Sequence, residues 1–170
     1  IKTENPDWGS VITRNYLKNA CEIVAKEHVT VIGFENTIDY ASYDFLDETA
    51  LCDIVPFDGL VEQLRSIKDE QEIALIKKSC ALADDGFRFV VEQLQAGQTE
   101  LDIANDLDHY MKKHGASAQS FETIVASGEH TTWPHGTATS RQIMTGDLIT
   151  LDYGYFVDGY TSDVTRTFSL

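Results

Sequence analysis

The first third of the chain alternates between helical and strand-like hydrophobic spacing. Residues 13–28 carry apolar side chains at helical intervals, and residues 29–34 form a compact apolar run that is typical of a strand. A second helical pattern covers residues 38–49, and residues 51–55 resemble another short strand. Helix–strand–helix–strand order predicts a layered α/β unit with parallel strands. Because the unit starts on a helix, we expect residues 1–60 to be the remainder of a small α/β N-terminal domain.

Two long helical patterns follow a boundary at residues 57–60. Asp69 is the predicted N-cap of the first helix, with Glu72 at its third position, and Thr99 is predicted to cap the second helix. The predicted apolar face of the first helix consists of Ile73, Ile76, Cys80, Ala83, Phe87, Val90, Val91 and Leu94. The predicted apolar face of the second consists of Leu101, Ala104, Leu107 and Met111.

The remaining residues predict strands. Hydrophobic alternation marks residues 121–127, 147–153 and 160–168, and an irregular segment, residues 128–136, separates the first two. Two helices followed by antiparallel strands make an α+β arrangement. We therefore expect residues 61–170 to form an α+β domain of two helices and an antiparallel sheet.

A short hairpin is the most informative segment. Asp158-Gly159 between two strand-like runs predicts a type I′ turn, because that turn needs positive φ at both central residues. With these residues as the turn, Asp152 lies opposite Thr165, and Asp163 lies on the same sheet face as Asp152, with Cβ atoms roughly 7–8 Å apart or less. The same face holds Thr150, Thr161, Thr165 and Thr167, and the opposite face holds Ile149, Leu151, Tyr153, Val164 and Phe168.

Asp152 and Asp163 are candidate metal ligands. Two carboxylates this close repel each other at neutral pH unless a cation or a proton lies between them. Divalent ions about 3.5–4 Å apart, bridged by carboxylates, are a common hydrolytic arrangement. The residues alone leave a second interpretation open, in which both acids are solvated side chains on an exposed antiparallel face.

Charge and cysteine content exclude several classes of function. The net charge of −15 argues against non-specific nucleic-acid binding, and no apolar run approaches the roughly 20 residues needed to span a bilayer. An acidic balance suits a cytoplasmic protein or one that holds cations. Cys21, Cys52 and Cys80 form no CxxC pair and sit among apolar neighbours, which predicts buried free thiols in a reducing compartment.

Six segments, in this order and spacing, carry a resemblance to a known family. They are residues 64–68, Phe121–Gly128, Pro134–Gly136, Gly146–Leu148, Asp152–Gly154 and Gly159–Phe168. Together they resemble the Xaa-Pro aminopeptidases and prolidases, metallopeptidases with the pita-bread fold. The resemblance implies the first half of a pita-bread peptidase domain, preceded by part of the smaller N-terminal domain, in a chain truncated at both ends and inactive by itself. The absence of an initiator Met agrees with that expectation.

The resemblance also implies a two-metal site. In the family, five protein side chains bind two divalent ions, most often manganese, with cobalt and zinc as further candidates. Asp152 and Asp163 match two of these ligands, and a histidine and two glutamates lie later in the family's sequence, after the position of Leu170. The general base is one of the later glutamates, so we expect no catalytic base within this chain.

Substrate contact and partners follow from the same resemblance. His135 in the Pro134–Gly136 segment matches a histidine that contacts the substrate near the metals, so we expect it to be substrate-binding; as an isolated residue it would more often be structural. The implied substrate is a dipeptide or longer peptide with proline in the second position, and homodimers are common in the family. His130 and Trp133 either line the substrate pocket or anchor the loop.

Three alternatives remain. The chain could belong to another pita-bread hydrolase, such as a methionine aminopeptidase or a creatinase. The preceding α/β segment counts against the first, and the retention of Asp152 and Asp163 counts against the second, because creatinase needs no metal. The third alternative is a catalytically inactive pita-bread binding module, and such modules usually lose the metal ligands.

Overall fold

The structure is a computed structural model that describes residues 9–170. The chain divides into two compact units, and the division falls between Ile67 and Lys68. Within residues 9–170, no helix is both long enough and apolar enough to cross a membrane. A helix at Leu60–Ser66 lies in the first unit, and the division into domains at residue 60 stays a prediction.

The first unit is a small α/β layer. Its elements are α1 (Tyr16–Lys26), β1 (Val31–Glu35), α2 (Tyr40–Thr49), β2 (Asp53–Phe57) and α3 (Leu60–Ser66). Strands β1 and β2 are parallel, with Val31 opposite Asp53 and Glu35 opposite Phe57. Cys21 on α1 and Leu46 on α2 are buried apolar residues of this unit. The predicted helix–strand order and parallel pairing are confirmed, whereas α3 had no counterpart in the sequence pattern.

The second unit begins with two capped helices, α4 (Glu70–Gln93) and α5 (Glu100–Lys113). The Asp69 carboxylate accepts from the Glu72 amide at 2.8 Å, and the Glu72 carboxylate accepts from the Asp69 amide at 2.7 Å. Thr99 and Asp102 make the equivalent reciprocal pair at the start of α5. Such capping boxes satisfy amides that have no partner within the helix, so the predicted starts of both helices are confirmed.

Six short strands form two antiparallel sheets in this unit. They are β3 (Ala118–Gln119), β4 (Ile124–Ser127), β5 (Leu148–Tyr153), β6 (Tyr155–Val157), β7 (Tyr160–Thr161) and β8 (Val164–Ser169). One sheet has the order β3-β6-β7 and the other has the order β4-β5-β8. Gly154 separates β5 from β6, so one extended run of chain contributes to both sheets. The antiparallel pairing around the Asp158–Gly159 turn was predicted, but β3 and the division of the strands into two sheets were not.

The core lies between the two helices and the apolar side of the sheet. It contains Ala83 and Val90 from α4, Ile103, Leu107 and Met111 from α5, and Ile149, Leu151 and Tyr153 from β5. The predicted helix faces are partly wrong. Ser79 is buried where Cys80 was expected, and Cys80 is exposed. On α5, Ile103 is buried, whereas Leu101 keeps 44% of its surface exposed. The correct face of α5 contains Glu100, Ile103, Leu107 and Met111.

Candidate metal centre

The predicted hairpin register is present. Asp152 lies opposite Thr165, and Tyr153 lies opposite Val164 in the β5–β8 pair. The Thr165 hydroxyl donates to Oδ1 of Asp152 at 2.9 Å, which orients that carboxylate across the polar face of the sheet. Asp163 is exposed, just before β8 begins. Strands β6 and β7 keep the same register around the turn, with Val157 opposite Tyr160.

The turn itself has the predicted backbone. Asp158 has φ of 50° and Gly159 has φ of 86°, as a type I′ turn requires. Two side chains of α4 hold this end of the hairpin. Lys78 Nζ donates to Asp158 Oδ2 at 2.8 Å, and the Tyr160 hydroxyl donates to Glu72 Oε1 at 2.7 Å. These two contacts join α4 to the turn end of the hairpin.

The two faces of the hairpin differ as expected. Ile149, Leu151 and Tyr153 are fully buried, while Asp152 is half-buried on the other side, beside hydrogen-bonded Thr150 and Thr167 hydroxyls 3.1 Å apart. Within residues 9–170, neither Asp152 nor Asp163 takes part in an ion pair. Two carboxylates of one hairpin without a cationic side-chain partner fit the binding of a cation.

The donor set on the hairpin is only part of a metal site. Among residues 9–170, no three His, Cys, Asp or Glu side chains cluster in a way that could hold a metal ion. Two carboxylates are hard oxygen ligands of the kind that Mn²⁺ and Mg²⁺ accept, but these ions take about six ligands. Asp152 and Asp163 thus fit a divalent cation as partial ligands that need further donors.

His135 lies in an exposed turn after a 3-10 helix at Gly128–Thr132. The Gly136 amide donates to the Trp133 carbonyl at 3.0 Å, which closes this turn. Trp133 keeps 68% of its surface exposed and packs edge-on against the ring of His130. In the described part of the chain, no hydrogen bond or ion pair joins His135 to Asp152 or Asp163, so its substrate role stays a prediction.

A fully buried carboxylate, Glu100, lies at the base of the segment that carries His135. Its Oε1 accepts from the amide and the hydroxyl of Ser127, both at 2.7 Å. Its Oε2 accepts from His130 Nδ1 at 2.9 Å and from the amide and hydroxyl of Thr139 at 3.0 and 2.7 Å. Burial would raise the pKa of Glu100, but the hydrogen bonds from Thr139 and Ser127 outweigh it and lower that pKa.

A second charged group extends this network toward β5. Arg141 donates to the Ser127 hydroxyl at 2.5 Å and to the two carboxylate oxygens of Asp147 at 2.7 and 3.3 Å. Asp147 also accepts from the Met144 amide at 2.9 Å. The hydrogen bonds from Arg141 and Met144 lower the pKa of Asp147. The network connects the start of α5 to the start of β5.

The sequence interpretation missed Glu100, although a signal was present. Glu100 precedes Ile103, Leu107 and Met111 by three, seven and eleven residues, so it lies on the same helix face as these core residues. Choosing Leu101 as the start of the apolar face hid that placement. A carboxylate on the buried face of a helix departs from the usual exposure of charged residues, and it indicates that hydrogen-bond donors surround it.

Comparisons with known proteins agree with this fold. An uncharacterized peptidase of Bacillus subtilis, YqhT, is 37% identical over 153 residues, which cover 89% of this chain and 43% of that protein. The structure of an Xaa-Pro dipeptidase from Bacillus anthracis matches with a TM-score of 0.89 at 36% identity, covering 94% of this chain and 45% of that one. An X-Pro aminopeptidase from Thermotoga maritima matches with a TM-score of 0.85 at 31% identity, covering 95% and 46%.

These matches confirm the predicted α+β pita-bread fold and the predicted resemblance to prolidases. The chain spans less than half the length of the relatives it matches. The family model that matches residues 74–170, which include the whole hairpin, is that of metallopeptidase family M24, and the chain belongs to that family.

Proposed function

We propose that the protein containing this chain hydrolyses the bond between an N-terminal residue and proline, in dipeptides or longer peptides. The observation that carries the proposal is the β5–β8 register, which sets Asp152 opposite Thr165 with Asp163 two residues before Thr165, inside the segment that matches the metallopeptidase family. Two of the matched structures are named as an Xaa-Pro dipeptidase and an X-Pro aminopeptidase, which supports proline as the second residue of the substrate.

Asp152 and Asp163 would hold divalent cations, with manganese as our first choice and cobalt or zinc as alternatives. Bound metal would supply a water molecule of lowered pKa and an electrophile for the scissile carbonyl. The further ligands and the general base would come from residues outside these 170. In this proposal, Thr165 orients Asp152 through its 2.9 Å hydrogen bond, which leaves the other carboxylate oxygen for the cation.

His135 would contact the substrate from its exposed turn. A neutral imidazole can donate one hydrogen bond to a carbonyl oxygen, and that bond strengthens as negative charge develops there during attack. The Xaa-Pro bond is a tertiary amide without an N–H, so a site for it must not depend on a donor from the scissile nitrogen. This feature separates the proposed substrate from ordinary peptides of similar size.

The test uses the protein at its full encoded length. Hydrolysis of Ala-Pro and Ala-Pro-Ala is compared with hydrolysis of Ala-Ala and Ala-Ala-Ala, after chelation and after addition of Mn²⁺, Co²⁺ or Zn²⁺. We expect cleavage of the proline substrates only with metal. The ratio of the two proline substrates separates a dipeptidase from an aminopeptidase. Absence of both metal binding and hydrolysis would instead support the inactive binding module.

Residue assignments are tested by Asp-to-Asn changes. Asp152→Asn and Asp163→Asn should each abolish activity and reduce bound metal, measured by metal analysis after gel filtration. Asp158→Asn is the matched control in the same hairpin, because Asn also tolerates the positive φ of that turn position. Full activity with normal metal content in either site variant would refute the ligand assignment.

A further inference from the structure

We propose that Glu100 is a positioning residue for His135. The segment of residues 128–138, called here the histidine loop, carries His135. Glu100 accepts hydrogen bonds from the two residues that flank this loop and from His130 within it. This inference rests on the proposed function, since it assigns Glu100 to the same substrate site. It adds a residue that lies outside the metal-bearing hairpin and acts through the loop.

The ends of the histidine loop are held by the two different oxygens of one carboxylate. Ser127, which immediately precedes the loop, donates its amide and hydroxyl to Oε1, both at 2.7 Å. Thr139, which immediately follows the loop, donates its amide and hydroxyl to Oε2 at 3.0 and 2.7 Å. The separation of the loop ends is therefore set by the width of the Glu100 carboxylate.

His130 carries the constraint from Glu100 to the residue beside His135. Its Nδ1 donates to Glu100 Oε2 at 2.9 Å. The other ring nitrogen faces Gly136, where a Cβ atom would lie only 2.7 Å from His130 Nε2. The imidazole thus fills the space between the buried carboxylate and the backbone immediately after His135.

The loop contacts require an acceptor at position 100. Burying a carboxylate is costly unless donors surround it, and an apolar side chain here would leave the donors of Ser127, His130 and Thr139 without their acceptor. Glu100 is fully buried and accepts five hydrogen bonds, and its lowered pKa keeps it ionised as an acceptor for all of them. These hydrogen bonds hold the base of the loop. The tip of the loop, with Trp133 and His135, is exposed.

The central experiment is a double-mutant cycle in the full-length protein, with Ala-Pro as substrate and manganese present. We expect Glu100→Gln to lower kcat/KM by about 30- to 100-fold, because small misplacements of a substrate-contacting group reach this size. In the His135→Ala background, the same change should lower kcat/KM by less than about threefold, because coupled residues are not additive. Equal effects in both backgrounds would overturn the proposal.

His130 provides a rescue test. Asn places an amide donor near the position of Nδ1, so His130→Asn should keep most of the activity that His130→Ala loses. Equal loss in the two variants would show that the bond to Glu100 does not act through His130. Asp102→Asn is the control for an acid-to-amide change in the same helix turn, since the Asp102 side chain caps α5 by accepting from the Thr99 amide and, within residues 9–170, has no hydrogen bond to the loop. It should leave kcat/KM unchanged.

Two further measurements separate this proposal from its alternatives. Metal content of Glu100→Gln should equal that of wild type, because Asp152 and Asp163 lie on the hairpin; a loss of metal would indicate general disruption and overturn a positioning role. Hydrogen exchange of the histidine loop should accelerate in Glu100→Gln and stay unchanged in Asp102→Asn. If the wild-type protein cleaves no proline substrate, the proposed function fails, while the exchange data still report whether Glu100 orders the loop.

Discussion

Replacement of Gly154 by alanine should open the hairpin that carries both aspartates. Gly154 joins β5 to β6, and a Cβ atom there would overlap the Ser162 carbonyl oxygen and the Ser120 hydroxyl, and would lie 3.0 Å from a ring carbon of Phe121. The Ser162 carbonyl belongs to the backbone of the opposite arm of the same hairpin, so it cannot rotate away as a flexible side chain would. The strands must separate to admit the methyl group.

The magnitude follows from comparison with Gly159. Extra atoms in a packed region cost about 1–3 kcal/mol, and an immovable backbone obstacle places Gly154→Ala at about 3 kcal/mol or more. Gly159 has φ of 86°, and a Cβ atom at that position would have no neighbour within 4 Å, so alanine there costs only the backbone term of about 1–2 kcal/mol. The difference of about 1–2 kcal/mol corresponds to roughly a tenfold change in the unfolding equilibrium constant.

Native-state hydrogen exchange of β5 and β8 amides measures this difference. These amides report the second unit alone, which avoids mixing its unfolding with that of the first unit. We expect the free energy of exchange to fall more in Gly154→Ala than in Gly159→Ala. A loss in Gly154→Ala no greater than that in Gly159→Ala would refute the argument that the Ser162 backbone blocks position 154.

Three further outcomes are expected from single changes. Asp147→Asn should destabilise the protein at pH 7, and the difference from wild type should vanish on acidification. The lowered pKa of folded Asp147 contributes stability above its unfolded pKa of about 3.9, and this stability is lost as pH falls through the folded pKa. Urea unfolding midpoints measured across this pH range test the prediction. Ser79→Ala should cost about 1 kcal/mol by removing the buried 2.8 Å bond to the Tyr155 carbonyl, whereas exposed Cys80→Ala should change stability by less than about 0.5 kcal/mol in the same denaturation assay. Lys78→Ala should cost at most about 1 kcal/mol, because its ion pair with Asp158 is exposed, and added salt should remove most of that effect.

The hairpin was predictable because its information is local. An Asp-Gly turn determines the register of the strands on either side, so the placement of Asp152 opposite Thr165 followed from counting residues. The helix starts were predictable for the same reason, since Asp69 and Thr99 each pair with a residue three positions later. In each case, residues close in sequence determine the structure.

The Glu100 network was not predicted because its partners are distant in sequence. Ser127, His130 and Thr139 approach Glu100 only after α5 packs against β4, across separations of 27 to 39 residues. The identity of the apolar face of α5 also depends on that packing, and an interpretation shifted by one residue exchanged Leu101 for Glu100. Strands of two or three residues, such as β3, carry too few positions to establish a period.

The two-residue turn at Asp158–Gly159 makes the proposed site sensitive to chain length as well as to residue type. Side chains of a strand alternate between faces, so inserting or deleting one residue in this turn would bring Asp163 to the side where Tyr153 and Val164 pack. A substitution such as Asp158→Asn leaves the number of turn residues, and therefore the sheet face of each side chain, unchanged. In-frame insertions and deletions at this turn should therefore be selected against more strongly than substitutions.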